Sequence, residues 1–266
     1  MTLLPDLSSE YILTDEQIET YQRDGHVYLP NVCSPEEVLA YRPVIAKTAH
    51  ALFPTHKPHD TNRPFLQKLN LRYHSDGVAK FVFARRFAKI VVDLMRIDGV
   101  RIFHEQALFK EPKGAITPWH QDQYYWPLAT NNAMGMWMPL VDISISMGPI
   151  RFASASHLNG FIGQYRISDE SESVFKEFIE EKRYKTWQQP MYAGDATFHN
   201  GWTIHGATEN HTHHMREAMI VTYYEDGTRV DELSNPSRVH DAKTFLGGRK
   251  AGELADSEMN RVLYQK

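Results

Sequence analysis

The chain has 266 residues, 42% of them hydrophobic and 23% charged, the composition of a soluble globular protein with a substantial core. A formal net charge of -4 argues against nucleic acid or an anionic membrane as partner, and no apolar run approaches the roughly 20 residues of a spanning helix. Cys33 is the only cysteine, which excludes an intrachain disulfide; with no basic-then-apolar start between Met1 and Leu13, a cytoplasmic protein is expected.

In chain order, Thr14-Asp15-Glu16-Gln17 reads as a capping box opening a helix that stops at Gly25. His26 to Pro30 reads as a short strand. Ser34-Pro35-Glu36-Glu37 starts a second helix with proline at its first position. Three prolines between Pro54 and Pro64 suggest an irregular loop, and Asp76 to about Ile97 reads as one helical stretch with a buried face. After Gly99 the pattern changes. Arg101–Glu111, Met134–Ser144, Gly148–Ser154, Gln189–Tyr192, Asp195–Phe198, Thr203–His205 and Ala218–Tyr224 are strand-compatible. Asp169 to Lys182 is an acidic helical insertion. One domain over 1–266 is expected: a helical N-terminal part (about 1–98), a sheet-rich body (about 99–228) and a C-terminal tail (229–266). Short strands with turn signals favour a sandwich or barrel over a doubly wound fold, and no glycine-rich phosphate loop is present.

Trp119-His120-Gln121-Asp122 places an imidazole and a carboxylate two residues apart. On an extended chain both point to one face and can converge on one ion. Two imidazoles and one carboxylate, with open positions on one side, form the facial triad of oxygen-activating Fe(II). By itself the pattern is weak: among 14 histidines an accidental match is expected, and His74-Ser75-Asp76 is one, with Asp76 where a helix N-cap belongs. The segment Gly194 to Gly206 offers two candidates for a third ligand, His199 and His205. Asn200-Gly201 reads as a turn after His199, which suits His199 to a surface or supporting position and leaves His205 as the ligand. Glu209 to Met215 reads as a hairpin turn. It would deliver Arg216 to the strand beside His205, where a guanidinium could hold a carboxylate bidentately. His211, His213 and His214 then sit at a polar hairpin tip.

These residues resemble the phytanoyl-CoA dioxygenase family. The likeness runs through Leu13-Thr14-Asp15-Glu16-Gln17, Asp24-Gly25-His26-Val27, Pro118-Trp119-His120-Gln121-Asp122, Gly148-Pro149-Ile150, Ser156-His157, Ala193-Gly194-Asp195-Ala196, His205-Gly206 and Arg216, about residues 13 to 224. It implies a double-stranded β-helix (jelly-roll, cupin-like) core with N-terminal helices packed on it, and Fe(II) on His120, Asp122 and His205. It also implies 2-oxoglutarate with its distal carboxylate on Arg216, O2 as second cosubstrate, and Trp126 lining the pocket. Two positions depart from the family pattern. Met147 replaces the usual Asn before Gly-Pro, and Ala153-Ser154-Ala155-Ser156-His157 replaces its Pro-Gly-Ser-His.

The activity expected is hydroxylation of an unactivated C–H of a small molecule, with release of succinate and CO2. Gln106 and Lys110, on one face of the strand preceding the metal motif, are candidates for the C1 end of 2-oxoglutarate. Tyr124, Tyr125 and Trp126 are candidates for the substrate wall, and the Asp169–Lys182 insertion and the loop after Asp122 for lids. Two other readings use the same residues: a redox-inert zinc hydrolase and a non-catalytic jelly-roll binding protein. Substrate identity and oligomeric state stay open at this level.

Overall fold

A computed structural model describes residues 3–53 and 65–266; the loop expected between Pro54 and Pro64 lies outside the described residues. Thr14 opens α1 (Asp15–Asp24) through a reciprocal capping box with Gln17. Gly25 ends it at φ +73°, and a Cβ there would lie 2.3 Å from His157 Nδ1, so only glycine fits. β1 (His26–Leu29) follows, then α2 (Pro35–Leu52) with Ser34 as cap, and β2 (Leu66–Leu69). The single helix expected over 76–97 is two, α3 (Asp76–Val82) and α4 (Arg85–Met95). The break lets Phe81 and Phe87 pack edge to face at 5.1 Å. It also aims Arg86 at Glu37 of α2 and the carbonyl of Val32. The cap of α3 is Ser75, not Asp76, so His74-Ser75-Asp76 is a helix start.

The body contains β3 (Gly99–Lys110), β4 (Thr117–His120), β5 (Ala133–Pro139), β6 (Ile150–Ala153), α5 (Asp169–Lys182), β7 (Thr186–Trp187), β8 (Ala196–Asn200), β9 (His205–Ala207) and β10 (Arg216–Glu225). Residues 229–266 are built into it as α6 (Pro236–Phe245) and β11 (Val262–Gln265). The strand expected over Gln189–Tyr192 is reduced to a bridge between Met191 and Ile143. The strands form a seven-stranded sheet, ordered β1-β8-β5-β10-β3-β11 with β2 also on β3, and a four-stranded sheet, β4-β9-β6-β7. They are the two open, antiparallel walls of a jelly roll.

Strand alternation sorts the side chains of the large sheet. Met134, Met136 and Met138 of β5 and Met219, Val221 and Tyr223 of β10 join the core under the helices. Each such buried side chain contributes about 1.5–3 kcal/mol. The alternate residues Trp137, Ala218 and Ile220 face the small sheet. That inner face continues through His104, Gln106, Leu108 and Lys110 of β3, so the space between the sheets receives a patterned set of polar groups.

Two buried histidines in this frame couple folding to pH. Burial lowers His26 to about 4 and His104 to about 3. The unfolded chain, with histidines near 6.5, therefore binds more protons than the folded one below that pH. Stability is full above pH 6.5 and falls toward pH 4, by about 1.4 kcal/mol per pH unit for each histidine. The urea midpoint of the metal-free protein is expected to drop clearly between pH 7 and pH 5. A constant midpoint would contradict this.

Candidate active site

β4 ends at His120, and Asp122 is the first residue of a 3-10 turn (Asp122–Tyr124) rather than part of the strand. Gln121 between them is extended, with φ -117° and ψ 124°, which keeps the two side chains on one face as the spacing predicts. Gln121 also pins the turn. Its amide donates to the carbonyls of Gly160 (2.8 Å) and Trp202 (2.7 Å), a role that sequence reasoning missed. His205 opens β9 and stands directly opposite His120 in the β4–β9 register. The two rings lie 4.1 Å apart.

Hydrogen bonds set the imidazoles for metal binding. His120 Nδ1 lies 2.7 Å from the carbonyl of Pro118 and His205 Nδ1 lies 3.0 Å from that of Thr203. A carbonyl only accepts, so each Nδ1 carries its proton and each Nε2 presents a lone pair. Those Nε2 atoms are 3.5 and 3.6 Å from the carboxylate oxygens of Asp122, and one ligand atom from each residue lies within 4.8 Å of the others. Burial, then the neighbouring His120, pushes His205 well below its ordinary pKa. Burial alone would raise Asp122, but the imidazoles of His205, His120 and His199 hold it well below the carboxylate range. Two Nε2 lone pairs and one carboxylate are the donors a divalent ion requires, so the donor set fits the expected metal.

His199 is a supporting residue and not a surface one. It is fully buried, its ring centre 4.5 Å from that of His205 and tilted to it by 49°, and its Nε2 is 3.6 Å from Asp122. Space for its ring comes from Gly135, its partner in the β5–β8 register; a Cβ there would come within 2.8 Å of the imidazole. Gly135→Ala is therefore expected to push His199 against Asp122 and weaken divalent-metal affinity by about 10–100-fold. Titration with Fe(II) or Mn(II) measures this, and unchanged affinity would show His199 to be mere filling.

Arg216 reaches the site by a different route from the expected one. β9 and β10 lie in opposite sheets, so 208–215 is a crossing between sheets and not a hairpin. Asn210, fully buried, organises it by donating to the carbonyls of Lys110, Glu111 and His214. His211, His213 and His214 are exposed on the crossing. Arg216 is 2% exposed and donates to the carbonyl of Gly148 at 2.6 Å. Its Nε has no partner, and its guanidinium lies 5.4 Å from the ring centre of Trp137. Burial lowers it to about 10, still a cation at neutral pH, yet no carboxylate pairs with it among the described residues. Gly148 adopts φ +70°, and a Cβ there would strike the carbonyl of Thr208 at 2.2 Å.

A cavity of about 320 Å³ joins His120, Asp122, His205 and Arg216. Gln106, Tyr125 and Trp126 line it; Lys110 and Tyr124 do not. Lys110 is buried one strand away from Arg216, lowered to about 6 by burial and by Arg216, and donates to the carbonyls of Ala115 (2.7 Å) and Thr208 (2.8 Å). α5, expected as a lid, is docked behind β4. Its Glu172 accepts from the backbone of Trp119 (2.7 Å) and from Arg151 (2.9 Å). The cavity is covered instead by α6, whose Asp241 and Phe245 line it, and the sequence showed no sign of this. Where the family's Pro-Gly-Ser-His is altered, Ser156 keeps a structural task. Its hydroxyl accepts from the N–H of Ile204 at 2.8 Å, beside His205.

A jelly roll with two imidazoles, one carboxylate and a buried arginine between its sheets defines a metal-site protein of the double-stranded β-helix class. The chain belongs to the phytanoyl-CoA dioxygenase family, whose family model matches residues 21–218. It is 25% identical over 143 residues to a probable alpha-ketoglutarate-dependent hypophosphite dioxygenase of Stutzerimonas stutzeri; the match covers 50% of this chain and 49% of that relative, about half its length. Among solved structures it is similar to the alpha-ketoglutarate-dependent carbocyclase SnoK of nogalamycin biosynthesis (20% identity, TM-score 0.79, covering 94% and 96% of the two chains). It is also similar to the epimerase SnoN in complex with Fe3+, alpha-ketoglutarate and nogalamycin RO (22%, 0.78, 94% and 98%). EctD from S. alaskensis with 2-oxoglutarate and 5-hydroxyectoine shares the fold at 18% identity and a TM-score of 0.67, covering 86% and 83%. These likenesses establish the fold.

Proposed function

We propose that this protein is an Fe(II)- and 2-oxoglutarate-dependent dioxygenase that hydroxylates an unactivated C–H of a small molecule, releasing succinate and CO2. The observation that carries the reading is Arg216, a buried cation with no anionic partner among the described residues, in the same cavity as the three ligand side chains. A dicarboxylate keto acid answers both features at once. A redox-inert hydrolase would leave the arginine without a task.

His120, Asp122 and His205 would hold the iron. When bound with 2-oxoglutarate and O2, it supplies the oxidant that removes hydrogen from the substrate carbon. Arg216 receives the distal carboxylate, with Trp137 beneath it and the carbonyl of Gly148 fixing its fork. Of the two candidates for the C1 end, Gln106 is assigned because it lines the cavity; Lys110 acts through the carbonyls it holds beside Arg216. Tyr125 and Trp126 form the substrate wall and exclude water from the reacting centre, while Tyr124 anchors the turn behind them.

The reading extends to one catalytic domain over 1–266, since α6 and β3 contribute to the same cavity as β4 and β9. It extends also to a cytoplasmic enzyme without nucleic-acid or membrane partners. No helix among the described residues is long and apolar enough to cross a membrane, and the net charge is -4. The deciding experiment is anaerobic addition of Fe(II) and 2-oxoglutarate to metal-free protein. The visible charge-transfer absorption of a chelated keto acid is expected. Its absence from folded, iron-loaded protein would refute the assignment.

A further inference from the structure

Arg216 marks one end of the cavity and His104 the other. In the β3–β10 register Arg216 opposes Lys110 and Thr222 opposes His104, and six strand residues span about 20 Å. α6 covers the His104 end. Its Arg238 donates to the carbonyls of Gln123 (3.3 Å) and Tyr124 (3.3 Å), which stitches the helix to the turn that begins at Asp122. Asp241 and Phe245, four residues apart on one face of α6, line the cavity. The Phe245 ring lies 4.7 Å from the imidazole of His104.

Asp241 has no hydrogen-bond or ion-pair partner among the described residues, although it is half-buried and faces an aromatic enclosure that includes Tyr125, Trp126 and Phe245. Burial and the charge of Asp122 push its carboxyl up to about 7. Among the described residues Arg216 is the only lysine or arginine lining the cavity, and it is at the far end. The imidazoles near Asp241 do not supply a fixed cation: His104 is held neutral by burial, with its Nδ1 unpartnered, and His240 sits at the exposed rim. A poorly solvated carboxyl without a partner is costly until a ligand compensates it. A carboxylate among aromatic faces complements an organic ammonium group, which is drawn to both.

We propose that Asp241 is the specificity residue of the substrate end, receiving the protonated amine of a small organic substrate whose apolar body lies against Tyr125, Trp126 and Phe245. The proposal rests on the oxygenase reading and narrows its substrate class to amine-bearing molecules. It also disfavours a small anion such as hypophosphite at this end, beside the carboxyl of Asp241.

The test is equilibrium binding by calorimetry to protein loaded anaerobically with Fe(II) and 2-oxoglutarate, and to the metal-free protein. The probes are a panel of arylalkyl and alkyl amines, the N-acetyl derivative of each, the matched carboxylates, and hypophosphite. At least one amine is expected to bind about 10-fold or more tighter than its N-acetyl derivative, and to lose about 10–100-fold in affinity in Asp241→Asn. Asp241→Asn is isosteric, and its melting temperature checks that it is folded; the wild-type comparison of amine with N-acetyl derivative stands without it. Tighter binding of carboxylates or hypophosphite, equal binding of the N-acetyl derivatives, or no binding of any amine at about 10 mM would each overturn the proposal. If the keto-acid absorption forms while the amines fail, only the Asp241 assignment falls. If that absorption is missing from the wild type, the oxygenase reading itself has failed.

Discussion

Asp122→Ala is expected to abolish turnover, with kcat/KM reduced at least about 1000-fold, or about 4 kcal/mol of transition-state stabilisation. Asp122 is the only carboxylate among the three converging ligand side chains, and both Nε2 atoms face it. No neighbour can replace it. His199 stands behind it, 3.6 Å away, but offers an imidazole and not a carboxylate. Succinate formation reports the loss of turnover, and direct Fe(II) titration shows whether the metal is lost or only misplaced. Retention of both iron binding and turnover would sink the assignment of Asp122 as a ligand.

Arg216→Ala should fail differently. The guanidinium lies on the opposite sheet from His205 and forms no hydrogen bond with the triad, so Fe(II) affinity is expected to stay near the parent value. The KM for 2-oxoglutarate is expected to rise about 100-fold, the consequence of removing one partner from a buried charge-assisted pair at roughly 2.7 kcal/mol. Arg216→Lys keeps the charge but cannot donate to Gly148 and to a carboxylate through one planar fork. It should recover only a small part of the loss. Titrating 2-oxoglutarate into each iron-loaded variant under anaerobic conditions measures these affinities directly. An Arg216→Ala variant that binds 2-oxoglutarate like the parent would remove the observation on which the function rests.

What the sequence made legible was local. Thr14, Ser34 and Gly25 announce helix ends by chemistry that acts within four residues, and all three are where that chemistry predicts. The strand character of β5 and β10 is equally local, and the ordered spacing of His120, Asp122, His205 and Arg216 outlines the site. What could not be read depends on partners distant in the chain. A polar run such as 209–215 looks the same whether it turns a hairpin or crosses between sheets; the difference is the buried Asn210. His199 looked like a strand end because Asn200-Gly201 is a real turn, and nothing in the local pattern shows that β8 is covered on both faces. α6 carries few apolar residues, and its place over the cavity depends on Arg238 meeting the carbonyls of Gln123 and Tyr124.

The position of β1 has a consequence for the order of assembly. His26 pairs with His199 and Leu29 with Ala196, so among the described residues this early strand has its only ladder partner more than 160 residues later. At typical rates of translation that partner leaves the ribosome roughly ten to thirty seconds afterwards. Until then Val27 and Leu29 remain without the β8 ladder. The sheet beside the ligand histidines therefore closes late and non-locally, which favours slow folding. Yield in a recombinant host should depend on lowered temperature and chaperone supply more than on the intrinsic stability of the finished fold.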